Sequence, residues 1–168
     1  MAIRRIEAPA VPWTSERSAN ANMNGLSRFA FAIARHFANV ESLLDVGAGA
    51  GRLREVLVGG SRVLYVGVDQ SENPGIVRAD AHDLPFQDGT FDVVASKQTL
   101  PHFVDPSRAI AEMRRVARRG VIIQQEFPSD GVGWDGHSRV HIDSPDDVLA
   151  LLPGATFDGI DFVWRAKA

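Results

Sequence analysis

The sequence predicts a doubly wound α/β domain: a mostly parallel central sheet, helices on both faces, and a shortened antiparallel part at the C-terminus. Three observations carry that reading. Five short apolar runs bounded by turn residues alternate with segments of helical period, and such alternation builds βαβ units whose strands are buried on both faces. The first run breaks into "DVGAGAG", with Gly47, Gly49 and Gly51 at alternate positions. Glycine so spaced costs roughly 0.5–1 kcal/mol per residue against alanine in a helix or strand. Either a strand turns sharply into a helix here, or a ligand lies against the chain. Finally, Asp45, Asp69, Asp80 and Ser96 fall at the expected carboxyl ends of strands, the edge where open parallel sheets bind ligands.

Residues 1–24 mix Pro, Ser, Asn and Ala around Trp13 without a sustained period. They read as an N-terminal arm and candidate lid, ahead of a domain over residues 25–168. From Asn24, a candidate N-cap, Leu26, Phe29, Ile33 and Phe37 recur at helical spacing while Arg28, Arg35 and His36 take the other face. "ESLLDVG" is the first strand; Leu53, Val56 and Leu57 then mark a short helix stopped by Gly59-Gly60. "RVLYVGVD" and "GIVRAD" are the second and third strands, each ending in an acid. "AHDLPFQDGT" is loop, because Pro85 and the Asp88-Gly89 pair are turn signals. "FDVVAS" is the fourth strand. Asp105-Pro106 opens a helix that turns Ile110, Met113 and Val116 or Ala117 inward. "GVIIQQE" is the fifth strand, ending at Glu126, and the Gly-rich stretch after it is loop. Ser144 caps a last helix whose first turn holds Pro145, Asp146 and Asp147, acids that suit the helix dipole. Pro153-Gly154 end it, a β-rich tail runs from about Thr156 to Trp164, and residues 155–168 are enough for one long strand or a cramped hairpin.

A chain of 168 residues with 45% apolar and 23% charged residues builds one domain with a sufficient core. It has no cysteine, which excludes disulfides, thiolate metal sites and a cysteine nucleophile. The N-terminus "MAIRRIEAPAVPW" has no apolar leader core, and the apolar run Phe29 to Ala34 is too short for a membrane span. The expectation is a soluble, cytoplasmic protein with no membrane partner. A net charge of −3 argues against a nucleic-acid partner. The cluster Arg108, Arg114, Arg115, Arg118 and Arg119 reads as a solvated helix face, with a docking face for an acidic partner as the alternative.

A dinucleotide fold would want G-x-G-x-x-G/A, but that pattern's third small position is Arg52, and Asp45 sits badly near a pyrophosphate. A nicotinamide oxidoreductase is accordingly disfavoured. Bare N–H groups at a helix N-terminus suit a carboxylate, and an acid before them suits an ammonium. "LLDVGAGAGRL" resembles the first motif of the class I S-adenosylmethionine-dependent methyltransferases, in particular their small-molecule branch, whose domain is Rossmann-like. The resemblance implies that Gly47, Ala48, Gly49 and Gly51 let the backbone approach the methionine part of S-adenosylmethionine, with Asp45 near its ammonium. It implies that Asp69 accepts from both ribose hydroxyls, with Gln70 beside the adenine. Asp80 in "ADAHDLPF" would accept from the adenine amino group, with Ala81 at the ring edge. In "FDVVASKQTLPHF", Ser96 would offer its carbonyl to the ammonium. The match runs from about Leu43 to Glu126. It departs from the family before the fifth strand, where "RRVARRGV" replaces the usual Lys-Pro-Gly-Gly turn, and in the short C-terminal part.

Methyl transfer needs mainly alignment and a dry site; a general base is needed only if the acceptor must first lose a proton. Candidate bases are His102, His137 and His141. The last two with Asp143 make only a weak metal pattern, so no metal is expected. The expected activity is methyl transfer to oxygen, nitrogen or carbon of a small-molecule acceptor, leaving S-adenosylhomocysteine. The alternative is a non-catalytic partner or regulatory subunit that binds the same nucleoside. A homodimer is the expected assembly, because a thin fold of this kind leaves its acceptor side open.

Overall fold

The computed structural model describes residues 25–57, 63–127 and 139–167. Trp13, the Asn24 cap, the Gly59-Gly60 stop and His137 lie outside them. Seven strands form one sheet in the order β3-β2-β1-β4-β5-β7-β6. The parallel strands are β1 (Ser42–Val46), β2 (Leu64–Asp69), β3 (Val77–Arg78), β4 (Phe91–Lys97) and β5 (Ala117–Gln124), while β7 (Asp161–Arg165) and β6 (Thr156–Phe157) run antiparallel. The C-terminal tail is therefore the cramped hairpin, closed by Phe157 stacked on Phe162. Both edge strands are two residues long. Strand order reverses between β1 and β4, and a cleft opens there at the carboxyl ends.

Strand alternation sorts the core into two layers. Leu43, Val93 and Ile122 face one side and pack with Phe29, Ile33 and Phe37 of α1 (Gly25–His36) and with Leu53 of α2 (Arg52–Leu57). Leu44, Val94, Val121 and Ile123 face the other and meet Ile110, Met113 and Val116 of α3 (Pro106–Val116) and Val148 of α4 (Pro145–Leu151). Asp105 caps α3 by accepting from the Arg108 amide, and Ser144 and Asp147 form a reciprocal capping box on α4. No helix among the described residues is long and apolar enough to cross a membrane.

Three boundaries differ from the sequence reading. β3 stops at Arg78, so Asp80 lies in the loop beyond it; β5 stops at Gln124, so Glu126 lies past its end. At its other end β5 begins at Ala117, directly after Val116 of α3, so no turn at all replaces the expected glycine turn. Gly120 instead serves close packing inside β5. A Cβ there would meet the Trp164 carbonyl and come within 2.6 Å of the Phe37 ring. Gly120→Ala is expected to destabilise the fold by roughly 1–3 kcal/mol through overpacking; an unchanged urea midpoint would refute this.

The arginine cluster is also corrected: four of its members are spent on the fold, Arg108 among them through its Nε donating to the His82 carbonyl at 2.9 Å. Arg115 donates to the carbonyls of Leu84 and Phe86 and to Glu112 and Asp88, which pins the loop before β4 onto α3. Arg118 pairs with buried Asp92, and Arg119 donates to the carbonyls of Ala38 and Asn39 at the end of α1. Loop carbonyls need partners when water is partly excluded, and a guanidinium offers five donors in a fixed fork.

Candidate functional site

The glycine loop leaves the end of β1 and is laced to β2, since the amides of Gly47 and Ala48 both donate to the Val68 carbonyl, at 2.9 and 3.0 Å. Gly47 is left-handed at φ 76°, and a Cβ on it would collide with the Thr99 side chain. Gly49, at φ 52°, has nothing within 4 Å of where its Cβ would be. A left-handed backbone exposed to open space is a cradle that a side chain would fill.

Asp69, at the end of β2, holds this loop in shape. One carboxylate oxygen accepts from the Gly49 amide and the other from the Ser71 amide, each at 2.8 Å. Each oxygen keeps a second lone pair. Around it lies a groove of about 410 Å³ whose lining includes Gly47, Asp69, Gln70, Ala81, His102 and Phe103. A second cavity, of about 400 Å³, is bounded by Asp45, Gly47 and Ala48 together with Leu26, Phe29 and Arg52. Lys97 and Gln98 line both.

Asp45 is 4% exposed and accepts a 2.7 Å hydrogen bond from the Tyr65 hydroxyl. Burial pushes its pKa up to about 6; the Tyr65 bond opposes this, and the nearby Asp69 charge adds to it. Burial and the Asp45 charge together hold the Tyr65 phenol protonated. With its folded pKa above the unfolded value, Asp45 favours the fold less as pH rises from about 4 to 6, and the cost is full above that window. A buried carboxylate kept at this cost is suited to receive a cation.

At the far end of the groove, Asp80 accepts from the His82 amide at 2.9 Å and lies 2.6 Å from His82 Nδ1. His82 Nε2 accepts from the Asp105 amide, so Nδ1 carries the proton and donates to Asp80. Those two bonds, the amide first, lower the Asp80 pKa. Ser96 is fully buried, its hydroxyl donating to the Val46 carbonyl and paired with Thr99.

The structure thus brings Gly47, Asp69, Gln70, Ala81 and His102 into one groove, and Asp45, Gly47 and Ala48 into the cavity beside it. Gly49, Gly51, Asp80 and Ser96 shape the walls without lining either cavity, and exposed His141 lines neither. Sequence reasoning did not single out Lys97, Gln98 and Thr99, which line the groove, or Tyr65 and His82, which bond to Asp45 and Asp80. For Lys97 and Gln98 the available signal was position, directly after the fourth strand's last buried residue.

Residues 44–123 match a family model described as a methyltransferase domain. The ubiquinone/menaquinone biosynthesis C-methyltransferase of Burkholderia mallei is 35% identical over 111 residues, 54% of this chain and 45% of that protein. Among solved structures, an S-adenosylmethionine-dependent methyltransferase from Aquifex aeolicus superposes with a TM-score of 0.62 at 18% identity, over 90% of this chain and 95% of that one. The [4+2]-cyclase SpnF superposes with a TM-score of 0.63 at 23% identity, over 75% and 54%. These two likenesses concern the fold. The chain spans 33% and 45% of the lengths of the first curated relatives it matches. The matched segment, the reversed strand order and the glycine loop are together similar to those of class I S-adenosylmethionine-dependent methyltransferase domains.

Proposed function

We propose that this protein binds S-adenosylmethionine and transfers its methyl group to oxygen, nitrogen or carbon of a small-molecule acceptor. The observation that supports the reading best is Asp69 bonded to the Gly49 amide beside an open left-handed loop, with buried Asp45 one strand away. The residues present fit the cofactor's chemistry: hydroxyls for Asp69, an ammonium for Asp45, a planar base between Gln70 and Ala81, and backbone against Gly47 and Gly49. When bound, the cofactor supplies a methyl group already activated by a sulfonium. What the chain adds is orientation and exclusion of water, by the bare loop on one side and Leu26, Phe29 and Phe103 on the others. His102, which lines the groove, is the one candidate base placed there among the described residues.

Asp45 gives the reading a pH signature. Its carboxylate must be ionised to meet an ammonium, so affinity for S-adenosylhomocysteine is expected to fall about tenfold per pH unit below about 6. Above that value affinity should level off, and Asp45→Asn should bind weakly with a flat profile. A wild-type profile flat between pH 5 and 7.5 would refute the role.

The test of the whole reading is calorimetric titration with S-adenosylmethionine, S-adenosylhomocysteine and NADH, followed by mass detection of methylated product from a hydroquinone. That acceptor is chosen because the Burkholderia relative is named for ubiquinone and menaquinone biosynthesis. Binding of the first two and not NADH is expected; binding of neither overturns the reading.

The second reading is a chain that binds the cofactor without transferring its methyl. It is favoured by the SpnF likeness, in which the same fold carries the name of a cyclase, and by the exposure of His102 and His141. A concave, partly apolar cavity beside the groove favours the enzyme. Tight cofactor binding with no turnover on any acceptor would decide for the second reading.

A further inference from the structure

The second cavity holds more positive charge than the cofactor reading needs. Lys97 and Arg52 both line it, and among the described residues neither forms an ion pair. Its one lining acid, Asp45, is already engaged by Tyr65. The Lys97 ammonium lies at the start of α1, where a Cβ on Gly25 would be 3.6 Å from Nζ, and the first turn of α1 carries no acid.

Gln98 adds a second, independent signal. Its backbone is left-handed at φ 58°, uncommon for a residue with a side chain. Its Oε1 accepts from Gln125 Nε2 at 3.0 Å and from the Glu126 amide at 2.9 Å. Its Nε2 is buried and has no partner. A buried donor left unanswered is destabilising and calls for a reason. Here the strained residue, whose spare donor is enclosed within the wall shared by the two cavities, sits beside a lysine that lines both and has no ion pair among the described residues.

We infer that Lys97 and Gln98 form an oxyanion subsite for the methyl acceptor, which is an apolar molecule carrying a carboxylate or an acidic hydroxyl. The apolar part follows from Leu26, Phe29 and Leu53, which line the same cavity. This inference rests on the methyltransferase reading. The cofactor's own methionine carboxylate has the same chemistry, and the experiment separates the two sources.

The test uses the full chain saturated with S-adenosylhomocysteine and three probes of one shape: naphthoate, naphthamide and naphthylmethylammonium. Naphthoate is expected to bind about tenfold or more tightly than the other two, and Lys97→Met to lose that advantage while naphthamide is unaffected. Gln98→Glu keeps an acceptor for the Gln125 and Glu126 donors and replaces the free N–H by an oxygen. It should turn the preference toward the ammonium probe. Equal affinities, binding by none of the three, or a naphthoate affinity indifferent to both variants overturns the inference. So does a Lys97→Met variant that weakens S-adenosylhomocysteine but not methylthioadenosine, because the lysine then serves the cofactor carboxylate that methylthioadenosine lacks. Failure of S-adenosylhomocysteine to bind wild type registers before any probe is added; it removes the methyltransferase reading and this inference with it.

Discussion

Asp69→Ala is expected to lose about 10²–10⁴ in affinity for S-adenosylmethionine and S-adenosylhomocysteine, since each hydrogen bond to a charged group contributes roughly 1.5–3 kcal/mol and two ribose hydroxyls are at stake. The loss has a second source. The same carboxylate holds the Gly49 and Ser71 amides, so its removal frees the glycine loop to leave the shape in which bare backbone faces the groove. Asp69→Asn separates the two, because its amide oxygen still serves one backbone donor while its charge is gone. Calorimetry should rank wild type above Asp69→Asn and that above Asp69→Ala. An alanine variant that binds within about threefold of wild type would show that the ribose is held elsewhere.

The largest loss of stability is expected at Asp92, which sits 1% exposed at the start of β4. One of its oxygens accepts from the amides of Glu41 and Ser42, at 2.8 and 3.2 Å, and the other from Arg118. Its own amide donates to the Ser42 hydroxyl. The start of β1 is thus riveted to β4 through one carboxylate. Asp92→Ala strands the two amides, while the exposed Arg118 guanidinium returns to water; the cost is about 2–5 kcal/mol, or on the order of 10 °C in Tm for a domain this size. Burial pushes the carboxyl up, but the Glu41 amide, Arg118 and the Ser42 amide outweigh it, and the pKa is lowered. A carboxyl depressed in the fold stabilises above the unfolded value of about 4 and ceases to do so as pH falls through the folded one. The gap between wild type and variant should therefore be widest near neutrality and narrow below about pH 4. Thermal melts at pH 7 and pH 3 check both statements; equal melting at pH 7 refutes them.

What the sequence made legible was whatever follows from periodicity and punctuation. Strands read as apolar runs, so the acids that end them, Asp45 and Asp69, were found with their positions in the sheet. The Ser144 capping box and the Asp105-Pro106 start were likewise local, two or three residues wide. Tyr65 was not legible, because it meets Asp45 only through the parallel register that sets Leu43 beside Tyr65 and Asp45 beside Gly67. Nor was the left-handed turn at Gln98, since nothing in "SKQT" distinguishes one backbone region from another. The arginines misled for the same reason: their partners, the carbonyls at 38, 39, 84 and 86, are 29 or more residues away and belong to loops. The early end of β3 had no local marker either, for a strand ends where its neighbour stops offering partners.

The seven-stranded sheet exposes very little of itself at its flanks. Each outermost strand contributes two residues, whereas a foreign strand needs a run of free backbone donors and acceptors to add itself to a sheet. Among the described elements, then, the outermost strands themselves offer a second chain no long ribbon, and the part of β2 that β3 leaves uncovered is Leu64–Gly67. Recruitment of another molecule falls to side-chain surfaces and to the cleft, and the parallel core is shielded from the edge-on growth that turns partly opened sheets into aggregates.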